Sequence, residues 1–420
     1  METSSPSSTS LIDKDEISLP LLPVESSEFV LGCSGITTVT FYKTTETMDF
    51  AESYLTSRVQ QILTLNPWLC GKLVSSSSPK KQLYLTYHPD VQRINLKQHW
   101  VVESCNNDDA TPRINEKLDY PSLCSSLSAK YTLRKGGLSV NKTDEPLFRV
   151  TMLKTSNDSF AVIVSLSHVI GDGATYYEIM SMLNERSQPR ALNAIRKDGI
   201  QFEVEANKIM QNRYEEWNKW LFSIGSVLQV VYTVLFGPVP RPITAVIPEK
   251  WIKKQKSLYC DETSFVSTND IVTSFLAKLA GYDVVLMAAN FRGKLSILDK
   301  SDAGNYETLV CYTKGDISPQ AIRSSLTGQL YRPSQAPLPG FFSSLWASKG
   351  GFTNWAGFYR QVNIPKSIMV RHQPYGDLNE LLPFDFLVIF APREGEVEVV
   401  GRTRNPNLTS ESLLEHFSRL

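Results

Sequence analysis

His168 stands in the run Ser167-His168-Val169-Ile170-Gly171-Asp172-Gly173, an imidazole followed at the fourth and fifth positions by an acid and a glycine. Imidazole is the side chain best suited to take up and return a proton near neutral pH. The flanking residues say how it would be held. Phe160 to Leu166 forms an apolar run of strand length, and beyond the motif Tyr176, Ile179, Met180 and Leu183 recur at helical spacing. The spacing therefore puts His168 in a strand-to-helix turn, where a scaffold can present a side chain to a cavity. A core histidine, an aspartate helix cap and a turn glycine would read the same way from this run alone.

The rest of the chain offers no competing chemistry. His88, His99, His372 and His416 have no partner at metal-ligand spacing, and the cysteines at 33, 70, 105, 124, 260 and 311 form no C-x-x-C pair, so no metal site is predicted. Cysteines this sparse suit free thiols in a reducing, cytoplasmic setting. There is no G-x-S-x-G elbow for a serine nucleophile and no glycine-rich phosphate loop.

Of 420 residues, 42% are hydrophobic and 20% charged, enough for one large or two medium domains. Lys plus Arg and Asp plus Glu number 43 each, and no basic stripe offers nucleic acid a positive footprint. The glycosylation-type sequences at Asn141, Asn157 and Asn407 are expected to carry no sugar, since nothing points to secretion. Met1 to Ser10 is mostly Ser, Thr and Pro without an apolar core, unlike a signal peptide, and residues 1–28 read as a disordered tail.

Further along, 37–43 reads as a strand, 49–64 as a helix, 74–80 as a turn, 82–87 as a strand and 105–112 as a polar loop. This alternation predicts a mixed α/β architecture.

The motif resembles the HxxxDG signature of the acyltransferase superfamily that includes chloramphenicol acetyltransferase, peptide condensation domains, wax-ester synthases and the plant BAHD acyltransferases. Further blocks resemble the BAHD pattern in the right order: Val39-Thr40-Phe41-Tyr42, Asn66-Pro67-Trp68-Leu69-Cys70-Gly71-Lys72-Leu73, Glu145 to Val150, Ser267-Thr268-Asn269-Asp270, and Asn290-Phe291-Arg292-Gly293-Lys294 followed by Gly304-Asn305. They span roughly residues 30 to 400. Ser167 stands where condensation domains have a second His, which favours a BAHD-like branch. Thr353-Asn354-Trp355 is similar to that family's TSW, but its DFGWG block is absent. The chain is thus identified as a divergent BAHD-like relative.

The resemblance implies two chloramphenicol-acetyltransferase-like halves around a central channel, at 29–185 and 262–420, joined by a crossover at 186–261. It implies an acyltransferase using a thioester donor, acyl-CoA, and a small hydroxyl or amine acceptor, complete as a monomer. One imidazole at His168 could deprotonate the acceptor and then reprotonate the thiolate, so no acyl-enzyme is needed. Asp172 would pair with Arg292 and fix the turn, although Arg292 alone would pass as a surface cation. Gly173 would leave room beside His168, or simply start a helix. Thr353 and Trp355 could face the developing oxyanion, and Asn305 could line the channel or cap a turn.

The crossover stretch Trp220 to Phe236 is uncharged. It is short for a span of about twenty residues. A buried helix, a pair of strands, an acyl-tunnel wall and a peripheral membrane element all fit it. The last would favour a membrane-surface acyltransferase of wax-ester or sterol type. A catalytically inert carrier-binding protein of the same fold is a third reading.

Overall fold

The computed structural model describes residues 15–76, 82–90, 95–105, 114–142, 144–211, 213–260, 265–327 and 337–418. In chain order its strands are β1 (Ile17–Pro20), β2 (Ile36–Thr44), β3 (Lys72–Ser75), β4 (Leu83–Tyr87), β5 (Trp100–Ser104), β6 (Phe148–Lys154), β7 (Ser159–Leu166), β8 (Arg241–Ile247), β9 (Val284–Asn290), β10 (Glu307–Thr313), β11 (Lys349–Asn354), β12 (Ser367–Pro374), β13 (Asp385–Phe390) and β14 (Val397–Thr403). They form a five-stranded sheet in the order β12-β2-β7-β6-β5, a six-stranded sheet β10-β9-β11-β13-β14-β8 and a small sheet β1-β4-β3.

β7 shows why its sequence is an apolar run rather than an alternation. It lies between β2 and β6, and every residue from Phe160 to Leu166 is buried. Phe160, Val162, Val164 and Leu166 join the cluster of Leu55, Val59 and Ile62 from the helix Met48–Leu65. Ala161 and Ile163 point the other way, with Val39 and Phe41, against Val388, Phe390 and Val400 of the six-stranded sheet. Burial on both faces removes the polar partner positions of a half-exposed strand. The two sheets thereby share one apolar layer, and the fold is the expected one of two sheet-and-helix halves packed together.

The boundaries between the halves differ from the expectation. β12 comes from the second half of the chain but pairs with β2 in the first sheet, and β8 comes from the crossover but closes the edge of the second sheet beside β14. Each supplies a partner to a strand that would otherwise expose unpaired backbone groups. His372 accordingly lies on β12, fully buried between Thr40 and Tyr177.

The tail expected at 1–28 is structured from residue 15. β1 pairs with β4 through Ile17 and Tyr87, Leu21 and Leu22 are buried, and Ser27 caps the helix Glu28–Gly32. Leu21 and Leu22 at the end of this segment have a core to enter, which a reading weighted by the first ten residues missed. Residues 1–14, the tip of the turn at 77–81 and the loop residues 106–113 lie outside the described residues.

Gly401 shows how close the central strands of the second sheet come. A Cβ there would sit 2.1 Å from the Phe386 carbonyl oxygen. Gly401→Ala is therefore expected to cost about 1–3 kcal/mol, the scale of core overpacking. Chemical denaturation would show it as a lower midpoint at unchanged slope.

Candidate active site

β7 ends at Leu166, and the chain turns through Ser167 to Asp172 into the helix Gly173–Ser181. Asp172 is the N-cap: its Oδ1 accepts the Thr175 N–H at 2.9 Å. Its Oδ2 accepts the Tyr306 N–H at 2.9 Å and Arg292 Nη1 at 2.7 Å. Arg292 uses all five of its donors, the others going to Asn290 Oδ1, Thr175 Oγ1 and the carbonyls of Asp302 and Gly304. The side chains of the pair are 4% and 2% exposed, so Arg292 is no surface cation. Burial would raise the Asp172 pKa, but Arg292 and the two N–H donors outweigh it and hold the carboxyl below its ordinary value.

A second buried ion pair lies beside the first. Arg196 Nε bonds both oxygens of Glu25, at 3.1 and 2.9 Å, and its Nη groups reach the carbonyls of Ala194, Ala303 and Ile170. Glu25 Oε1 also accepts the backbone N–H of Asn305 at 2.9 Å. Between the two pairs runs Ala303-Gly304-Asn305. Gly304 has φ +136°, and a Cβ on it would meet Arg196 Nε at 3.0 Å, so the position calls for glycine.

Asn305 connects this frame to His168. Its Nδ2 donates to the His168 carbonyl at 2.7 Å and to Glu25 Oε1 at 3.3 Å. With the amide nitrogen committed to two acceptors, Oδ1 must be the acceptor toward His168 Nδ1, 3.0 Å away. Nδ1 therefore carries the hydrogen of the neutral ring, and Nε2 keeps its lone pair. The His168 side chain is 24% exposed, and Nε2 lies 4.0 Å from Glu307 Oε1.

Glu307 has no hydrogen-bond partner on its carboxylate among the described residues, although a third of its side chain meets solvent. Burial, and then the Asp172 charge, push its pKa up to about 7, against the lowering pull of His168 and Arg292.

The remaining sequence candidates divide. A Cβ on Gly173 would approach Trp355 Nε1 at 3.1 Å, so the space its missing side chain leaves belongs to that indole, and no contact with His168 is seen there. Trp355 packs edge-on to Tyr177 with ring centroids 6.0 Å apart, and its Nε1 has no acceptor among the described residues. Thr353 is buried on β11 and shares no hydrogen bond with His168 among the described residues. Asn354 and Ala356, either side of Trp355, line a cavity of about 1190 Å³ whose wall also carries Arg186, Lys256, Arg323 and Arg360.

Sequence reasoning missed Glu25, Arg196 and Glu307. For Glu307 a signal existed: it follows Asn305 by two residues at the start of a strand, which puts both on one side. For Glu25 there was none, because its partner Asn305 lies 280 residues away.

No protein-family model and no curated protein matches the chain. Solved structures do. F. graminearum TRI101, complexed with coenzyme A and T-2 mycotoxin, is similar with a TM-score of 0.61 and 12% identity over 96% of this chain and 98% of that one. The first condensation domain of the CDA synthetase gives 0.59 and 12% over 96% and 95%. Polyketide synthase associated protein 5 from Mycobacterium tuberculosis gives 0.56 and 11% over 95% and 96%.

Two outcomes test the geometry. Asp172→Ala leaves Arg292 buried without its counter-charge, a loss of about 3–5 kcal/mol; it should lower the melting temperature and the yield of folded protein together. Glu307→Gln should act in the opposite direction and depend on pH. Below Glu307's ordinary value near 4.5 both folded and unfolded chains hold its proton; between there and about 7 only the folded chain does, so its contribution to stability falls as pH rises through that window. The variant should match wild type in acid and melt higher than wild type above pH 7.

Proposed function

We propose that the protein is an acyltransferase that moves an acyl group from a thioester, acyl-CoA, to a hydroxyl or amine of a small acceptor, with His168 as general base. The observation that carries this is the 3.0 Å hydrogen bond between His168 Nδ1 and Asn305 Oδ1. A base needs a lone pair aimed at open space, and Nε2 has one while Nδ1–H is held by Asn305. Structures of similar fold bound to coenzyme A support the donor. So do Arg186, Lys256 and Arg360 on the wall of the cavity beside Trp355, which suit the phosphates of coenzyme A, with Glu394 and Glu396 on the same wall.

The steps balance without a covalent enzyme intermediate. Nε2 takes the proton from the acceptor as its oxygen or nitrogen bonds to the thioester carbonyl carbon. The tetrahedral oxyanion then collapses, the C–S bond breaks, and the thiolate takes the proton back from the imidazolium. Asn305 Oδ1 stabilises the imidazolium through Nδ1–H. Trp355 Nε1–H is the available indole donor for the oxyanion. Asp172, Arg292, Glu25 and Arg196 are positioning residues that hold the turn and Asn305.

The test is transfer from a series of short to long acyl-CoAs to a small-molecule extract, read by mass spectrometry. Wild type should form an acylated product, and His168→Ala should lose about 10²–10⁴-fold in rate. Product formed equally by both would remove His168 from the chemistry. Product from neither would favour a non-catalytic protein of this fold.

A further inference from the structure

The helix Ile224–Phe236 is turned inside out for a helix in water. Only Gly225 and Ser226 are buried along its 13 residues. Its large side chains, among them Val231, Tyr232, Leu235 and Phe236, face outward. A helix packed on a core ordinarily does the reverse. This also corrects the reading of the stretch as a buried helix.

A second segment, distant in sequence from the first, adds to the same face. Phe341, Phe342 and Trp346 are exposed, the last two at 79% and 78%. The Tyr232 and Trp346 rings lie 6.4 Å apart. Gly225 makes this contact possible, since a Cβ there would meet the Phe341 carbonyl oxygen at 2.8 Å. Beneath, Trp220 Nε1 donates to the Pro339 carbonyl at 2.9 Å and to Ser344 Oγ at 3.2 Å. The face is thus a rigid platform of two chain segments.

We propose that this face docks on a lipid bilayer, with the helix lying in the interface plane. Charge decides the occupant. From Trp220 to Pro240 no residue is charged, and none is charged between Arg332 and Lys349. A protein partner would need a polar rim and hydrogen bonds spaced across the contact. This face offers almost none, and the amide of Gln229 donates within its own helix to Thr233. Hydrocarbon asks for nothing more. Exposed cations close the two ends, Lys219 (shared with Glu215) and Arg241, where they would meet lipid headgroups. The rings of Tyr232 and Trp346 suit the same headgroup level. At about 1.5 Å per residue the helix is about 20 Å long, short of a hydrocarbon core of about 30 Å, so it lies on the membrane and does not cross it. No single described helix is long and apolar enough to span; this helix and the preceding Tyr214–Leu221 reach that length and composition only together, across a 44° bend, and Trp217 and Trp220 of the preceding helix are buried in the protein.

Flotation of the full chain with vesicles of phosphatidylcholine, alone and with phosphatidylserine added, tests this, with light scattering to read the oligomeric state. Wild type should float with vesicles, more strongly with the anionic lipid. The double variants Phe342→Ser/Trp346→Ser and Leu235→Ser/Phe236→Ser should lose about tenfold or more of the bound fraction. Ile200→Ser, equally exposed but on the helix Gly199–Ile209, should float like wild type. The proposal is overturned if wild type stays with neither vesicle, if Ile200→Ser loses as much as the double variants, or if wild type is a dimer that the double variants split, which would make a second copy the occupant.

Discussion

Two buried ion pairs, Asp172 with Arg292 and Glu25 with Arg196, set the geometry on which the candidate site depends. Charges taken out of water are costly, and a well-formed pair does little more than offset that cost. Their value here is positional. Arg292 fastens the end of the His168 turn to the loop Asp302–Gly304, and Arg196 fastens the middle of the same turn, at Ile170, to Ala303. Neither pair can be half-removed without leaving a bare charge in the core. His168 and Asn305 are therefore held in register by contacts that have no partial alternative, although they come from opposite halves of the chain.

That frame explains why the site joins the halves. His168 leaves a strand of the first sheet, Asn305 precedes a strand of the second, and Glu25 arrives from a segment before both sheets. The shared apolar layer of Val39, Phe41 and Ile163 against Val388, Phe390 and Val400 brings the sheets together, while the ion pairs fix their alignment at the site. Glu307 is the exception. Its carboxyl has no counter-charge within hydrogen-bond range among the described residues, and its Oε1 lies 4.0 Å from His168 Nε2. A group left in that state is one the fold tolerates, at a cost to stability that grows with pH.

Much of this was legible in the chain. The strand at 159–166, the helix from Gly173 and the cap at Asp172 follow from a seven-residue apolar run, a helical period and an acid before it. Local spacing carries that information. Arg292 could be tied to Asp172 only through a family pattern, because their 120-residue separation leaves no local trace. Glu25, 280 residues from Asn305, left no local trace either, and a Ser/Thr/Pro-rich opening extended a reading of disorder over the segment that carries it. The exchange of β12 and β8 between the halves was invisible as well, since a strand's sequence records its burial and not its neighbour. The helix at 224–236 was legible in its composition and misleading in its direction, because an apolar run does not say which way its side chains face.

The central claim is that Asn305 leaves His168 with its hydrogen on Nδ1 and a free lone pair on Nε2. Nitrogen-15 NMR of histidine-labelled protein, with the His168 signals assigned by their loss in His168→Ala, reads this directly. The account predicts a protonated Nδ1 and an unprotonated Nε2 at pH 8, and a redistribution between the two tautomers in Asn305→Ala. A hydrogen found on Nε2 in the wild-type protein would contradict it, because no lone pair would then face the acceptor.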